Sequence, residues 1–294
     1  MEHLWIFLIL LYGIFKGLRE ALKKKAVESN SVIEVLFFYT FFAFLMTIPF
    51  SQDVFSVSFK YHIAILIKSF AIFIAWLCAL NSIKRLPISV YSVMDMGRMV
   101  FSILLGVVFL DENLNLPKII GILLVVCGIT LVNLKKKGKN GENSTLKVLP
   151  LVLISCILNA VSGTLDKFLL TPSADRWIYG EEVLTASQLQ FWYMLYLASF
   201  YFIYILIKKE KINVKKCLTC PWIYILSIIF VIGDRALFIA NSQANSTVIV
   251  MTLIKQSSVI VSIILGRLLY KEKNILYRTL CALLIILGIV VSVI

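Results

Sequence analysis

Long apolar stretches separated by short polar connections make up most of this chain. Ten of them approach the length of about 20 residues that a membrane-spanning helix needs. Strands of a membrane barrel are about half as long and alternate in polarity, unlike these stretches. The pattern therefore predicts an all-α polytopic membrane protein with ten transmembrane helices, segments 1 to 10, at residues 4–22, 32–50, 61–82, 87–110, 117–134, 148–168, 186–207, 221–241, 245–269 and 275–294.

The composition supports this assignment. Of the 294 residues, 60% are hydrophobic and only 15% are charged, whereas soluble domains are about 45–50% apolar. The excess apolar surface must face lipid. The formal net charge of +13 comes largely from lysines grouped between the apolar stretches, which is typical of cytoplasmic loops. We therefore expect the lipid bilayer, and no nucleic acid, to be the partner of this surface.

The distribution of lysine and arginine predicts an orientation. Eighteen of these residues follow segments 1, 3, 5, 7 and 9, and only Lys60, Lys118 and Arg176 lie in the other connections. Basic loops stay in the cytoplasm, so the odd-numbered connections should be cytoplasmic and both termini should face outward. Segment 1 lacks a basic start and a small-residue cleavage site, so we interpret it as a retained span. The expected location is the plasma (inner) membrane of a bacterium.

The chain also matches itself when it is shifted by 160 residues. FSILLGVVFLDEN at 101–113 aligns with VSIILGRLLYKEK at 261–273, and Asn81-Ser82 aligns with Asn241-Ser242. The repeat predicts two five-helix halves, 1–134 and 148–294, joined by a basic linker at 135–147. Because five is an odd number, the second half should enter the membrane upside down, with a central cavity between the halves.

The end of the first half carries a recognisable motif. A helix is followed by Asp111-Glu112-Asn113 and then by Pro117, Gly121 and Gly128. This arrangement, with Tyr12-Gly13 in segment 1, resembles an EamA domain of the drug/metabolite transporter superfamily. The second half repeats the glutamate and the later glycine but lacks the proline. The resemblance implies a metabolite transporter, in a family that carries amino acids, sugars, nucleotides and drugs, and some of whose members have cytoplasmic termini.

Charged residues inside the segments are the candidate chemistry. A charge at the bilayer centre costs at least about 2.5–3.5 kcal/mol, so mid-segment charges should face the bundle interior. Five cations lie near mid-segment, with only Asp95 and Asp234 as acids, which leaves three cations without an assigned anion. The five cations are Lys16, Lys68, Arg98, Arg235 and Lys255.

Three further cations, Arg19, Lys167 and Arg267, lie closer to segment ends. Their long side chains can reach the lipid headgroups, and we expect that placement for them. Glu20 and Asp166 stand beside two of these cations and are expected to pair locally.

A binding site follows from these positions. Asp95 and Arg98 share one helix face, and the repeat superimposes Asp95 on Lys255. We expect the carboxylate or phosphate of an organic anion or zwitterion to bind Arg98, Lys255 and Arg235. Internal ion pairs that only hold the halves together are the alternative. The full expected substrate-binding set is Arg98, Lys255, Arg235, Asp95, Lys16, Gln256, Tyr91 and Trp76, with Asp95 and Asp234 as coupling candidates.

These features favour a secondary transporter that works by alternating access, through solute exchange or proton coupling. A flippase for a lipid-linked phosphate or sugar carrier is the alternative. The sequence has no metalloprotease motif and no nucleotide-binding P-loop, and Cys217-x-x-Cys220 stands alone, so we expect no enzyme, cofactor or metal site. The partner is a small-molecule substrate, and Gly121, Gly128 and Gly288 suit packing seams within a monomer or in a homodimer.

Overall fold

The regular elements of the described chain are all helical, as the apolar pattern predicts. The computed structural model describes residues 4–51, 53–109, 116–134, 142–170, 183–242, 254–255 and 257–291. Short 3-10 turns occupy Ile48–Phe50 and Val54–Ser56. The helices are α1 Leu4–Ser29, α2 Val32–Thr47, α3 Phe59–Arg85, α4 Ile88–Asp95, α5 Arg98–Phe109, α6 Leu116–Leu134, α7 Glu142–Leu170, α8 Ala186–Lys208, α9 Val214–Leu218, α10 Pro221–Asn241, α11 Ser257–Tyr270 and α12 Ile275–Val291.

Several of these helices have the length and hydropathy of membrane spans. Within the described ranges, five qualify on both criteria: Val32–Phe50, Phe59–Arg85, Val148–Asp166, Ala186–Lys208 and Pro221–Asn241. Shorter apolar helices lie at Ile119–Leu131, Ser257–Tyr270 and Ile275–Gly288. With its 26 residues, α1 is about 39 Å long at 1.5 Å per residue, which exceeds the hydrocarbon thickness of about 30 Å. Its composition, however, includes a row of charged residues.

Helix α1 continues beyond the end expected from the sequence. It runs to Ser29, whereas segment 1 ends at residue 22, because the lysine-rich stretch after it contains good helix formers and no breaker. Ser31 then starts α2 with a capping box that includes Glu34. Lys23 and Lys24 therefore belong to the helix and not to a loop. Helix α7 likewise begins at Glu142, inside the expected linker, and the rest of that linker lies outside the described residues.

The expected fourth segment is broken in two. Helix α4 ends at Asp95 and α5 begins at Arg98, with tight i to i−3 backbone bonds across Met96 and Gly97. Glycine has low helix propensity, and a Cβ at Gly97 would lie 2.9 Å from Ile129 of α6. A side chain at this position would press on Ile129, and the break places Asp95 and Arg98 on its two sides.

The most extensive packing joins helices before residue 135 to helices after residue 141. Helix α1 packs on α10 and α11, while α3 packs on α7 and α8. Helix α2 contacts α8 and α10, α5 contacts α7, and α6 contacts α12. Buried apolar side chains from both parts of the chain form one continuous cluster. The two parts therefore interlock.

Small residues allow the closest of these contacts. A Cβ added at Gly17 would lie 2.6 Å from the carbonyl oxygen of Ser258 on α11. A Cβ at Gly128 of α6 would lie 2.4 Å from Ile285 of α12. Helices that approach this closely need glycine at the contact. Gly128 thus belongs to a seam inside the protein, as one of the two sequence interpretations held.

The carboxylate of Glu272, just after α11, caps the first turn of α4. It accepts hydrogen bonds from the backbone amides of Ile88 at 2.6 Å and Ser89 at 3.3 Å, and from the Ser89 hydroxyl. Arg278 donates to the same carboxylate at 2.6 Å, and the Lys24 ammonium lies 3.9 Å away. An anion at a helix N-terminus is favourable. Glu272 therefore ties both halves together beside the ends of α1 and α3.

The described connections sort onto two ends of the bundle. Lys24 donates to the carbonyl of Leu86 at 2.8 Å, and the amide of Asn213 donates to Glu34 at 2.8 Å. The ends of α1, α3, α8 and α11 therefore share one end, the Glu272 end. At the other, Gln188 of α8 donates to the carbonyl of Asp53 at 3.1 Å. Four of the basic connections thus lie together at the Glu272 end.

Substitution of Gly17 by alanine should destabilise the protein. The new methyl group would collide with the α11 backbone, and overpacking of this kind costs about 1–3 kcal/mol. Gly163→Ala is the matched control because nothing lies within 4 Å of a Cβ at that position. Thermal unfolding of the purified proteins should show a lower midpoint for Gly17→Ala only. Equal midpoints would contradict the close α1–α11 contact.

Removal of the Glu272 carboxylate should also lower stability. Glu272→Ala leaves two helix amides and Arg278 without their partner, and such a loss costs about 1–3 kcal/mol. Glu28→Ala removes a half-exposed carboxylate paired with Lys25 at 2.9 Å, so its effect should stay within about 0.5 kcal/mol. Thermal unfolding in detergent measures both. If Glu28→Ala is as damaging as Glu272→Ala, the cap does not stabilise the fold.

Candidate functional site

The core of the candidate site is a row of charged residues on one face of α1. Lys16, Arg19, Glu20 and Lys23 follow the i, i+3, i+4, i+7 spacing that brings side chains to one face. All four are between 6% and 8% exposed, whereas apolar residues on the opposite face are open, with Phe7 62% exposed. This pattern of charges inside and apolar side chains outside is that of a helix surrounded by lipid on its outer face.

The first ion cluster joins α1 to the broken helix. The Lys16 ammonium lies 2.9 Å from the Asp95 carboxylate, and the Arg98 guanidinium lies 3.6 Å from the same oxygen. The expectation that Asp95 and Arg98 pair across one turn is thus confirmed, with Lys16 as a third member. The thiol of Cys156 on α7 lies 3.8 Å from the carbonyl of Met94, so α7 closes over the break.

The second ion pair corrects the expectation for Arg19. Its guanidinium lies 3.0 Å from the Asp234 carboxylate of α10 and 4.8 Å from the ring centre of Phe230. Arg19 therefore does not reach the headgroups, because α1 continues past it and α10 supplies a buried anion. Asp234, a coupling candidate, is engaged in this pair. Sequence reasoning missed the pair because its members are 215 positions apart.

The third pair joins α3 to α7 and assigns an anion to Lys68. The Lys68 ammonium lies 3.0 Å from the Asp166 carboxylate, 3.1 Å from the Ser162 hydroxyl and 4.0 Å from the ring centre of Tyr193. Lys68 is therefore not among the cations without an anion. Asp166 pairs across the bundle with Lys68. The side chain of Lys167, its expected local partner, lies outside the described set.

Glu20 and Lys23 extend the charged row toward the Glu272 end. Glu20 accepts hydrogen bonds from Ser92 of α4 at 2.6 Å and Ser262 of α11 at 3.0 Å. Its carboxylate also lies 3.9 Å from the Lys16 ammonium one turn away, so its local ion pair is with Lys16. The Lys23 ammonium lies 4.9 Å from the ring centre of Trp76 and 5.8 Å from that of Tyr39. This aromatic contact replaces an ion pair. Trp76, expected in the binding set, thus lies beside Lys23.

Lys255 reaches the same interior from the second half of the chain. Its ammonium lies 6.0 Å from the ring centre of Tyr12, and Arg98 and Lys16 are among the charges that act on it. In the described residues no carboxylate lies within ion-pair distance of Lys255. The hydroxyls of Ser257 and Ser258 are buried there without a hydrogen-bond partner in the described structure. Gln256, the remaining residue of this polar stretch, lies outside the described residues.

The other two expected binding residues lie at different depths. Tyr91 is 4% exposed on α4, one turn from Asp95 and next to Ser92. Arg235 points away from this interior. Its guanidinium donates to the Ser187 hydroxyl of α8 at 2.8 Å and lies 4.8 Å from the ring centre of Phe50. Adjacent residues on a helix point about 100° apart, which separates Arg235 from Asp234.

The interior keeps an excess of positive charge. In the middle of the described bundle, six cationic side chains face four carboxylates, so two positive charges remain. The sequence predicted an excess of three with different members, because it counted Arg235 in this interior and placed Arg19, Lys23, Glu20 and Asp166 elsewhere. The cations are Lys16, Arg19, Lys23, Lys68, Arg98 and Lys255, and the carboxylates are Glu20, Asp95, Asp166 and Asp234.

The cysteine pair takes no part in this site. Cys217 lies in α9 at the Glu272 end, where burial raises the pKa of its thiol to about 11. A thiol with a raised pKa is a poor nucleophile and metal ligand. Within the described ranges, no group of three or more His, Cys, Asp or Glu residues could hold a metal ion.

Comparisons with known proteins point to a transporter. Residues 3–134 match the EamA-like transporter family. Twenty chains of solved structures match the chain, and one of them, described only as "Crystal structure of protein", has a TM-score of 0.62 over 97% of this chain and 96% of its own. Its sequence identity is 11%, so the match shows a shared fold alone. No curated protein matches the chain.

The fold and the family match lead to the same class of protein. The helices are apolar outside and charged inside, and several are long enough to cross a membrane. The first part of the chain, residues 3–134, is similar to the EamA-like transporter family of the drug/metabolite transporter superfamily, and the apolar helices are those of a multi-pass membrane protein.

Proposed function

We propose that this protein is a secondary transporter that moves a small organic anion or zwitterion by alternating access. The observation that carries the proposal is the excess of two cations over carboxylates in the middle of the described bundle. Buried charges without a partner are costly, so the interior favours a ligand that brings negative charge. The same excess would suit the phosphate of a lipid carrier, which keeps a flippase as the alternative.

A ten-helix inverted repeat is part of the proposal. In it, segment 4 corresponds to α4 with α5, and segment 9 includes α11. If the two halves are exchanged, the α1–α10 contact becomes the α7–α3 contact, and the α1–α11 contact becomes the α7–α5 contact. All four of these helix contacts are present in the structure. The contacts of α2 with α8 and α6 with α12 map onto themselves. The proposed halves are 1–134 and 148–294, with 135–147 between them.

The ion pairs follow the same exchange with reversed polarity. In the α1–α10 contact, α1 supplies the cation Arg19 and α10 the anion Asp234, 3.0 Å apart. In the α7–α3 contact, α7 supplies the anion Asp166 and α3 the cation Lys68, also 3.0 Å apart. Matched pairs at related contacts favour two similar interfaces that can rearrange in alternation, as inverted-repeat transporters do.

The proposed substrate group binds between Arg98 and Lys255. Arg98 is the more loosely held cation of its cluster, at 3.6 Å from Asp95 against 2.9 Å for Lys16. An incoming carboxylate or phosphate can therefore accept hydrogen bonds from the Arg98 guanidinium, while Lys16 remains paired with Asp95. On the facing side, Lys255 supplies a positive charge. The hydroxyls of Ser257 and Ser258, which lack a hydrogen-bond partner in the described structure, lie beside it.

The coupling mechanism follows from the state of the two candidate carboxylates. Asp95 contacts two cations and Asp234 contacts one. Both are committed to ion pairs, which favours exchange of one solute for another over proton coupling. The Glu272 cap closes one end of the bundle, and a cavity beside Arg235 lies toward the other. We place the basic Glu272 end in the cytoplasm, so the described conformation opens outward.

Loss of either proposed binding cation should weaken ligand binding strongly. A thermal-shift screen of purified protein against carboxylates, phosphate esters and amino acids should find a stabilising compound, because binding raises the melting midpoint. Lys255→Met and Arg98→Met should weaken its affinity by about 10-fold to 100-fold, since a hydrogen bond to a charged group contributes about 1.5–3 kcal/mol. Lys25→Met is the matched control because Lys25 is about half exposed.

The same variants then test transport of that compound in proteoliposomes. Lys25→Met should exchange it at the wild-type rate, and the two interior variants should not. Stabilisation by cationic compounds only, or wild-type affinity in both interior variants, would contradict the proposed function. Selective stabilisation by lipid-linked phosphates would favour the flippase.

A further inference from the structure

A cavity of about 310 Å³ lies at the end of the bundle opposite Glu272. Small-ligand pockets start near 300 Å³, so the space suits a molecule of modest size. The ends of α2 and α8 and the second half of α10 form its wall. The residues that line it are Pro49, Phe50, Asp53, Thr185, Ser187 and Arg235.

The cavity presents two opposite charges that do not neutralise each other. Asp53 and Arg235 both line it, yet their charged atoms are more than 4.0 Å apart and form no ion pair. Arg235 donates to the Ser187 hydroxyl, which uses only one of its five N–H donors. The carboxylate of Asp53 has no partner among the described residues. Both charges are therefore open to a ligand.

The structure holds each charged group in place. The backbone of Asp53 is left-handed, with φ 60, and its carbonyl accepts hydrogen bonds from Gln188 at 3.1 Å and Ser56 at 2.7 Å. Trp192 of α8 donates to the next carbonyl, that of Val54, at 2.7 Å. This turn is thus fixed to α8. Arg235 is fixed by the Phe50 ring, 4.8 Å away.

The geometry points to a second ligand site here, for a small zwitterion that carries a carboxylate and an ammonium group on an apolar body. Arg235 and Ser187 bind the carboxylate, Asp53 binds the ammonium group, and Phe50 with Pro49 contacts the apolar body. Asp53 would repel a ligand that carries only a negative charge, and Arg235 would repel one that carries only a positive charge. Opposite charges held apart select a ligand with both.

The site is separate from the proposed central one. Arg235 and Asp234 are neighbours on α10, but Asp234 faces Arg19 of α1 while Arg235 faces α8. A ligand at Arg235 would thus rest one helix face away from the interior charges. The interpretation of this site as the entrance to the transport path rests on the proposed transport function. The binding chemistry of the site rests on the cavity alone.

Three related probes test the charge requirement on the full-length protein in nanodiscs. Leucine has both groups, 4-methylpentanoate lacks the ammonium group, and 3-methylbutylamine lacks the carboxylate. Calorimetry should show leucine binding at least about tenfold more tightly than either analogue, as expected from one charge-assisted hydrogen bond. Absence of leucine binding to the wild type, or equal binding of an analogue, would overturn the zwitterion site.

Variants separate this cavity from the central site. Asp53→Asn should weaken leucine binding about 10-fold to 100-fold and leave 4-methylpentanoate unchanged or tighter. Arg235→Gln should weaken both, and Arg235→Lys should restore part of the affinity if the charge, and not only the fold, matters. The exposed control Glu28→Gln should bind leucine as the wild type does. Melting midpoints without ligand verify folding.

One opposite outcome distinguishes the two proposals. If Lys255→Met abolishes leucine binding and Asp53→Asn and Arg235→Gln retain it, leucine occupies the central site. The cavity proposal is then overturned, and the proposed transport function stands.

Discussion

Burial of charged side chains inside a lipid-surrounded bundle is the constraint on which this structure depends. Four charged residues of α1 lie on its inner face, and none can turn to lipid without a large free-energy cost. Each must find its partner on another helix. Lys16 uses Asp95 of α4 and Arg19 uses Asp234 of α10. These requirements fix the rotation of α1 and bring the two halves of the chain together around it.

The same charges give the interior its chemistry. The carboxylates are fewer than the cations, and the cations that lack one, such as Lys255 and Lys23, rest near aromatic rings. An aromatic face stabilises a cation less than a desolvated carboxylate does. The interior is therefore stable enough to fold and still favourable for an anionic group. The Glu272 cap and the Arg235 cavity lie at opposite ends of this interior, so access differs between the two ends.

Sequence reasoning predicted the local features of this molecule well. Apolar runs predicted the helices, and the i, i+3 spacing predicted the contact of Asp95 with Arg98 because both depend on nearby residues. The sequence did not predict the pairings between residues that are far apart in the chain. Nothing near Arg19 in the sequence indicates Asp234, and a helix end drawn at residue 22 placed Lys23 in solvent. The break at Gly97 depends on the approach of α6, and the Glu272 cap depends on a helix start far away in the chain. Those features arise only when the halves assemble.

A double-mutant cycle on Arg19 and Asp234 tests most directly whether paired interior charges hold the halves together. Arg19→Met or Asp234→Leu alone leaves a buried charge without its partner, which costs about 3–5 kcal/mol. The double variant removes both charges, and its melting midpoint should lie well above the value expected from adding the two single losses. Strictly additive losses would show that the two side chains do not interact, and would contradict the account.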